Sequence, residues 1–334
     1  MSYVNRINQE LRPLRGGAPL VVDLFAGAGG LSLGFEAAGF KVHGYEMDND
    51  CCDTYRRNLV GPCKQVVLHP GIEFPAAEVI IGGPPCQPFS VAGLQAGVDD
   101  ARNGFPTLIS AVRQAKPRIC IAENVRGVFY RNRDYINSVC DEIRSLGYSV
   151  DVAILNMVNY GVPQKRERSI IVGHDGSWRW PDPENGVITA GEALGHLALE
   201  APEEAGYLTP SMDAYIARYE AKSKCVTPRD LHLHLPSRTL TCRNLGGSTS
   251  DMMRLRLPDG RRRRLTIREA SRLQSFPDWW EWSGTKTSVF NQIGNAVAPL
   301  FSLQLARAVR SYLQGQLDDL QMDEQVRLIQ EPNV

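Results

Sequence analysis

The sequence predicts an α/β fold: a Rossmann-like, doubly wound mixed sheet joined to a smaller, irregular region. Three observations carry this expectation. Residues 1–173 alternate short β-branched runs with helical stretches, the pattern of a largely parallel sheet. A glycine-rich turn directly follows the first apolar run. From about residue 174 the alternation gives way to Pro/Gly-rich sequence through about residue 263. In order, Leu20–Leu24 reads as a buried first strand, and after the glycine turn residues 31–38 form a helix closed by Gly39. Residues 41–45 are a second strand and 48–58 a helix. A weak third strand spans 66–68, a fourth 79–81 and a fifth 119–122, with a helix over 106–114 before the fifth. A helix over 135–146 precedes strands six and seven at 149–155 and 169–172. Helices near 267–274 and from Pro299 follow the irregular stretch. The expected organisation is therefore one unit of 1–173 plus 285–334 and a second of 174–284.

The chain has 334 residues, 43% hydrophobic and 22% charged, enough for a sizeable core. Its longest apolar run is far below a membrane span, and MSYVNRINQE lacks the apolar centre of a signal peptide. Eight cysteines show no C-x-x-C spacing, which disfavours a disulfide scaffold and structural zinc. The expectation is an intracellular protein with reduced thiols. A net charge of zero hides an asymmetry: 181–217 hold seven acids and no Lys or Arg, whereas 218–272 hold 14 Lys/Arg against five acids. Such an excess predicts a phosphate-binding footprint, the alternative being a solvated arginine-rich loop.

VVDLFAGAGG places Gly27, Gly29 and Gly30 between a strand and a helix, where the backbone can approach a nucleotide-like ligand at the switch point of the sheet. Ser32 stands where a dinucleotide fingerprint wants a third glycine, which weakens the case for a nicotinamide cofactor. Glu46 ends the second strand, where an acid can bind ribose hydroxyls, and Met47 beside it can pack on an adenine ring. IIGGPPCQPFS puts Cys86 between stiffening prolines in a loop past the fourth strand, unlike Cys120, which sits inside an apolar run. A thiolate there is a candidate nucleophile. Glu123 in ICIAENV ends the fifth strand at the same edge. If strands six and seven form an antiparallel hairpin, Arg166 and Arg168 of QKRERSIIVG reach that edge too.

The runs DLFAGAGGLSLGFEAAGF, GGPPCQPFS, ENV, QKRER, RLTIREASRLQSFPDWW and QIGNAVAP, in that order, resemble the ordered motifs of the cytosine-C5 DNA methyltransferases. The resemblance covers roughly residues 20–173 and 238–310. It implies the seven-stranded methyltransferase sheet with a smaller target-recognition domain, and S-adenosyl-L-methionine as methyl donor. The donor would be held by Phe25, Gly27, Gly29, Gly30, Leu31, Glu46 and Met47, with Asn295 and Ala296 closing the pocket. Cys86 would add to cytosine C6 and make C5 enamine-like, which is covalent catalysis. Glu123, protonated or sharing a proton with the base, would stabilise N3 and read the exocyclic amine. Arg166 would hydrogen-bond O2, and Arg168 would support the loop or Glu123. No metal is required.

The same resemblance implies double-stranded DNA with the target base flipped out of the helix. Gln87, Ser90 and Arg102 fall where the family's catalytic loop meets DNA. Within SRTLTCRNLGGSTSD, Thr239 is a candidate backbone contact and Arg243 a candidate guanine reader. Two departures stand out: HPGIEFP offers no acid for the adenine amino group, and the stretch between QKRER and SRTLT is compact. A stand-alone, prokaryotic-type, monomeric and cytoplasmic enzyme, associated with the nucleoid through DNA, is implied. A restriction endonuclease acting on the same site, without a stable complex, is its expected companion. The nearest alternative is a tRNA cytosine-C5 methyltransferase on the same frame. A silent DNA-binding scaffold would not need these side chains, and a nicotinamide oxidoreductase leaves PPCQ, ENV and QKRER unexplained.

Overall fold

The computed structural model describes residues 1–15, 17, 19–85, 103–222, 229–247 and 251–330, the side chains of Glu204 and residues 316–330 excepted. In chain order the elements are α1 (Tyr3–Glu10), β1 (Leu20–Leu24), α2 (Gly30–Ala37), β2 (Lys41–Glu46), α3 (Asn49–Asn58), β3 (Cys63–Gln65), β4 (Val79–Gly82) and α4 (Phe105–Ala115). Then come β5 (Ile119–Val125), α5 (Arg126–Arg131), α6 (Arg133–Ser145), β6 (Ser149–Asn156), β7 (Gln164–Lys165) and β8 (Glu167–His174). Beyond these lie α7 (Ala190–Leu194), α8 (Pro210–Lys222), β9 (Ser237–Arg238), α9 (Cys242–Gly246), β10 (Arg254–Arg256), β11 (Arg262–Arg264), α10 (Ile267–Leu273), α11 (Lys286–Asn295) and α12 (Pro299–Gln330).

Seven strands form one sheet in the order β3-β2-β1-β4-β5-β8-β6. β8 runs antiparallel to both of its neighbours and the other neighbouring pairs are parallel, so the sheet is mixed and Rossmann-like as expected. Its central strands are mostly apolar because helices cover both faces, with Asp23 in β1 and Glu123 and Asn124 at the end of β5 as the polar exceptions. Val21 packs with Leu33, Phe35 and Phe301 on one side, and Val22 with Leu108, Val112 and Val139 on the other. Chain order reverses between β1 and β4, which opens the ligand crevice of such sheets at their carboxyl ends.

The C-terminal helix does return to the sheet: α12 lies on α2 so closely that a Cβ on Gly34 would stand 2.3 Å from the Leu303 nitrogen. Ser302 Oγ donates to the Leu31 carbonyl at 2.5 Å. Two expectations are corrected. The third strand is Cys63–Gln65, three residues earlier than read, because its pairing to Gly44–Glu46 and not its apolar content defines it. The stretch read as irregular holds α8, a 13-residue helix with Ile216 as its one buried residue, too sparse to leave a helical period. Among the described residues no helix is long and apolar enough to cross a membrane.

Candidate active site

The glycine turn carries its shape in its backbone. Phe25, Gly27 and Gly29 have φ of 58°, 55° and 88°, so three of five successive residues are left-handed. A Cβ on Gly30 would meet the Val297 carbonyl at 2.3 Å, which seats the start of α2 on the segment after α11. Glu46 holds the turn from β2. Its Oε2 accepts from the Gly27 N–H at 2.8 Å, and its Oε1 accepts from Met47 and Asp48 N–H at 2.8 and 2.9 Å. A carboxylate oxygen has two acceptor positions, so Oε2 keeps one for a ligand hydroxyl. Met47 beside it is 65% exposed, an apolar surface for a planar ring. Beneath the turn Asp23 is wholly buried with Ser32 Oγ at 2.6 Å, and burial pushes its carboxyl up to about 7.

At the same edge, β4 runs through Gly82 into Gly83 and Pro84, and β5 brings Glu123 and Asn124 alongside. A Cβ on Gly83 would stand 3.5 Å from Glu123 Oε2, and Asn124 Nδ2 donates to the Pro84 carbonyl at 2.9 Å. On the far side of the gap the Gly104 N–H donates to the Pro85 carbonyl at 2.9 Å. Cys86, Gln87, Ser90 and Arg102 lie outside the described residues. Their flanks are nevertheless anchored beside Glu123.

The two arginines part company. The β5–β8 register pairs Val125 with Arg168, and Arg168 Nε sits 2.9 Å from Glu123 Oε1 with both side chains only 10% and 12% exposed. Burial pushes the Arg168 guanidinium down and Glu123 opposes that push. Arg166, expected at the base, is instead 1% exposed, and its Nη1 and Nη2 are committed to the carbonyls of Leu240, Gly294 and Ala296 at 2.8–3.1 Å. Arg168 lies within the β8 pairing to β5, whereas Arg166 precedes β8 and is turned to other carbonyls. A cavity of about 460 Å³ opens here, lined among others by Val125, Asn156, Lys165, Arg168 and Thr239. Arg126 and Glu167 form an ion pair across its wall.

The stretch beyond β8 corrects the charge argument. Arg254 and Arg263 are 0% exposed. Arg254 pairs with Glu220 and Asp230, and Arg263 grips Glu269 with two hydrogen bonds of 2.7 and 2.8 Å. Arg262 pairs with Asp213, from the acidic stretch itself, and Arg272 with Asp278. Much of the counted excess is therefore internal. Arg243 stays 80% exposed, its Nε on Asp251 at 2.9 Å, while Thr239 Oγ1 donates to the Lys165 carbonyl at 2.7 Å. Asn295 is exposed and its Oδ1 accepts from the Cys242 thiol at 3.1 Å; the Ala296 carbonyl accepts from Arg166 and Gln274. Sequence reading missed Asn124, Gln164 and Gln274. Only Asn124, at the end of the apolar run ICIAENV, carried a usable signal, since a buried amide needs partners; Gln164 in VPQKRER and Gln274 in SRLQSF carried none.

The comparisons with known proteins agree with one another. The family model described as C-5 cytosine-specific DNA methylase matches residues 20–311. The Type II methyltransferase M.AplI of Arthrospira platensis is 54% identical over 94% of this chain and 93% of its own length. M.Eco47II of Escherichia coli, also a Type II methyltransferase, is 34% identical over 86% of this chain and 78% of its own. Among solved structures, the S. pombe Dnmt2 methyltransferase is similar with a TM-score of 0.68 at 16% identity, covering 88% of this chain and 99% of that one. A putative DNA modification methyltransferase encoded within an E. coli prophage gives 0.65 at 23%, with 88% and 99% covered. At these identities the two structures speak for the fold alone.

Proposed function

The chain belongs to the C-5 cytosine-specific DNA methylases and methylates cytosine in DNA; from that premise we propose how its residues do so. The observation that carries the reading is the convergence of Glu123, Arg168 and the anchored Gly83–Pro85 flank at one sheet edge, next to the glycine turn. The turn fits an adenosine-bearing donor: among the described residues, its chain neighbours apart, nothing lies within 4 Å of where a Gly27 Cβ would stand, Glu46 keeps an acceptor, and Met47 offers an apolar face. S-adenosyl-L-methionine would supply an electrophilic methyl group there. Phe25, Gly27, Gly29, Gly30, Leu31, Glu46 and Met47 would hold it, with Asn295 and Ala296 behind them.

Cys86 adds its thiolate to C6 of a flipped cytosine, and the displaced electron pair raises the nucleophilicity of C5. Glu123 shares a proton with N3 and meets the exocyclic amine. Arg168, the guanidinium that faces Glu123, stabilises the charge developing at O2, in place of Arg166. After C5 takes the methyl, the C5 proton leaves to a base and the C5–H electron pair expels the thiolate. Residues 1–173 with 285–334 form the catalytic unit and 174–284 the recognition unit, where Arg243 reads a guanine and Thr239 seats the backbone. Gln87, Ser90 and Arg102 would meet DNA from the catalytic loop.

The relatives named above are Type II methyltransferases, which favours a short duplex target within a restriction–modification system over the tRNA alternative. A cognate endonuclease would act on the same site without a stable complex, and the enzyme would work as a cytoplasmic monomer on the nucleoid. Incubation with methyl-labelled donor and duplex DNA should place label at cytosine C5. DNA with 5-fluorocytosine at the target should trap the chain covalently, and Cys86→Ala should not be trapped. Label at adenine N6 or cytosine N4, label only in tRNA, or trapping of Cys86→Ala would sink this reading.

A further inference from the structure

The strip of chain beside the cavity and the segment behind the donor pocket are fastened to each other by side chains of one short stretch. β7 pairs in parallel with β9, and the alternate residues Gln164 and Arg166 reach past it. Gln164 Oε1 accepts from the Leu240 N–H at 2.8 Å, and Arg166 Nη1 donates to the Leu240 carbonyl at 2.8 Å. Arg166 Nη2 donates to Gly294 and Ala296 carbonyls at 3.1 and 3.0 Å. Gln164 Nε2 continues to Gln274 Oε1 at 2.5 Å, and Gln274 Nε2 closes on the Ala296 carbonyl at 2.6 Å. A Cβ on Gly294 would stand 2.4 Å from the Cys242 nitrogen, so the two segments also touch directly.

Leu240 follows Thr239, on the recognition side; Gly294 and Ala296 flank Asn295, on the donor side. Among the described residues no carboxylate lies within ion-pair distance of Arg166, and burial pushes its guanidinium down. A buried charge held by carbonyls alone is costly to leave partly unpaired, and the guanidinium fork fixes its donors in one plane. The three carbonyls therefore move together or lose that bond set. A contiguous network with two ends biased by two ligands is the physical basis of linkage.

We propose that Arg166 is a positioning residue that couples the two binding events, so that DNA docking on the 237–242 strip and donor binding against 294–296 each tighten the other. This rests on the functional reading above and assigns Arg166 a task in place of contact with the base. The probes are S-adenosylhomocysteine and a duplex carrying the site mapped for the chain in an unmethylated host. In the unaltered chain each should raise affinity for the other by one common factor, of about 5–150 for ordinary linkage. Arg166→Lys, with its melting transition checked, should bring that factor toward one while each ligand alone still binds. Cys242→Val, which removes the thiol contacts to Asn295 and the Asn291 carbonyl, should lower the factor partway. Independent binding in the unaltered chain, or a folded Arg166→Lys with the full factor, overturns the proposal. If Arg166→Lys does not fold, Cys242→Val decides, and an unchanged factor there overturns it. Failure of the unaltered chain to bind either probe would instead bring down the functional reading, and this inference with it.

Discussion

The sheet edge and the stretch of residues 174–284 use arginine in opposite ways. At the edge, Arg168 lines a cavity, pairs with Glu123 and is placed by the register of two long strands. Within 174–284 Arg254 and Arg263 are wholly buried, Arg254 paired with Glu220 and Asp230 and Arg263 with Glu269, amid short elements such as β10 and β11. The difference is one of scaffolding. Where a sheet supplies the frame, a guanidinium is available for chemistry. Where regular structure is scarce, guanidiniums become the frame, tying loop carbonyls and helix caps together as Arg263 ties Glu200, Leu197 and the Glu269 capping box.

That contrast can be broken by substitution. Arg263→Ala strands the wholly buried Glu269 and is expected to cost about 3–5 kcal/mol of stability, read as a lower midpoint in denaturant. A loss below about 1 kcal/mol would mean the interior pair is not structural. Arg168→Ala should lower turnover by roughly 10²–10³, as for loss of one charge-stabilising donor, and, because it leaves the 12%-exposed Glu123 unpaired, lower the denaturation midpoint by less than Arg263→Ala does. Unfolding with unchanged specific activity of the folded fraction would erase the distinction between the regions. The smallest effect belongs to Arg243→Ala. Being 80% exposed, it should alter stability by about 0.5 kcal/mol or less. It should still relax preference at one base pair by about 1–3 kcal/mol, measured on single-base variants of the target. Equal losses on every variant would reduce Arg243 to a phosphate contact.

Much of the frame was legible because its signals are local. The glycine turn after an apolar run, the capped helix after Asp48 and the strand that carries Glu123 each announce themselves within a few residues, although that strand runs on to Val125, past the 119–122 read from sequence. What failed depends on pairing across the chain. A count of charges along 218–272 cannot see that Arg262 meets Asp213 or that Arg254 meets Glu220. Nor can two arginines two residues apart say which one faces the cavity, since that follows from the pairing of Val125 with Arg168. α8 escaped because its exposed sides erase the period. The candidate residues Cys86, Gln87, Ser90 and Arg102 lie outside the described residues.

The packing of α2 against α12 sets an order in time. The glycine turn is synthesised early, yet Gly30 rests on Val297, and Leu31 receives its hydrogen bond from Ser302, 271 residues later in the chain. Contacts of such separation form late, because loop closure must precede any reward from them. During synthesis the glycine turn therefore stays without the segment it rests on until α12 has left the ribosome. A growing chain holds the strands around the turn long before it holds what lies behind it.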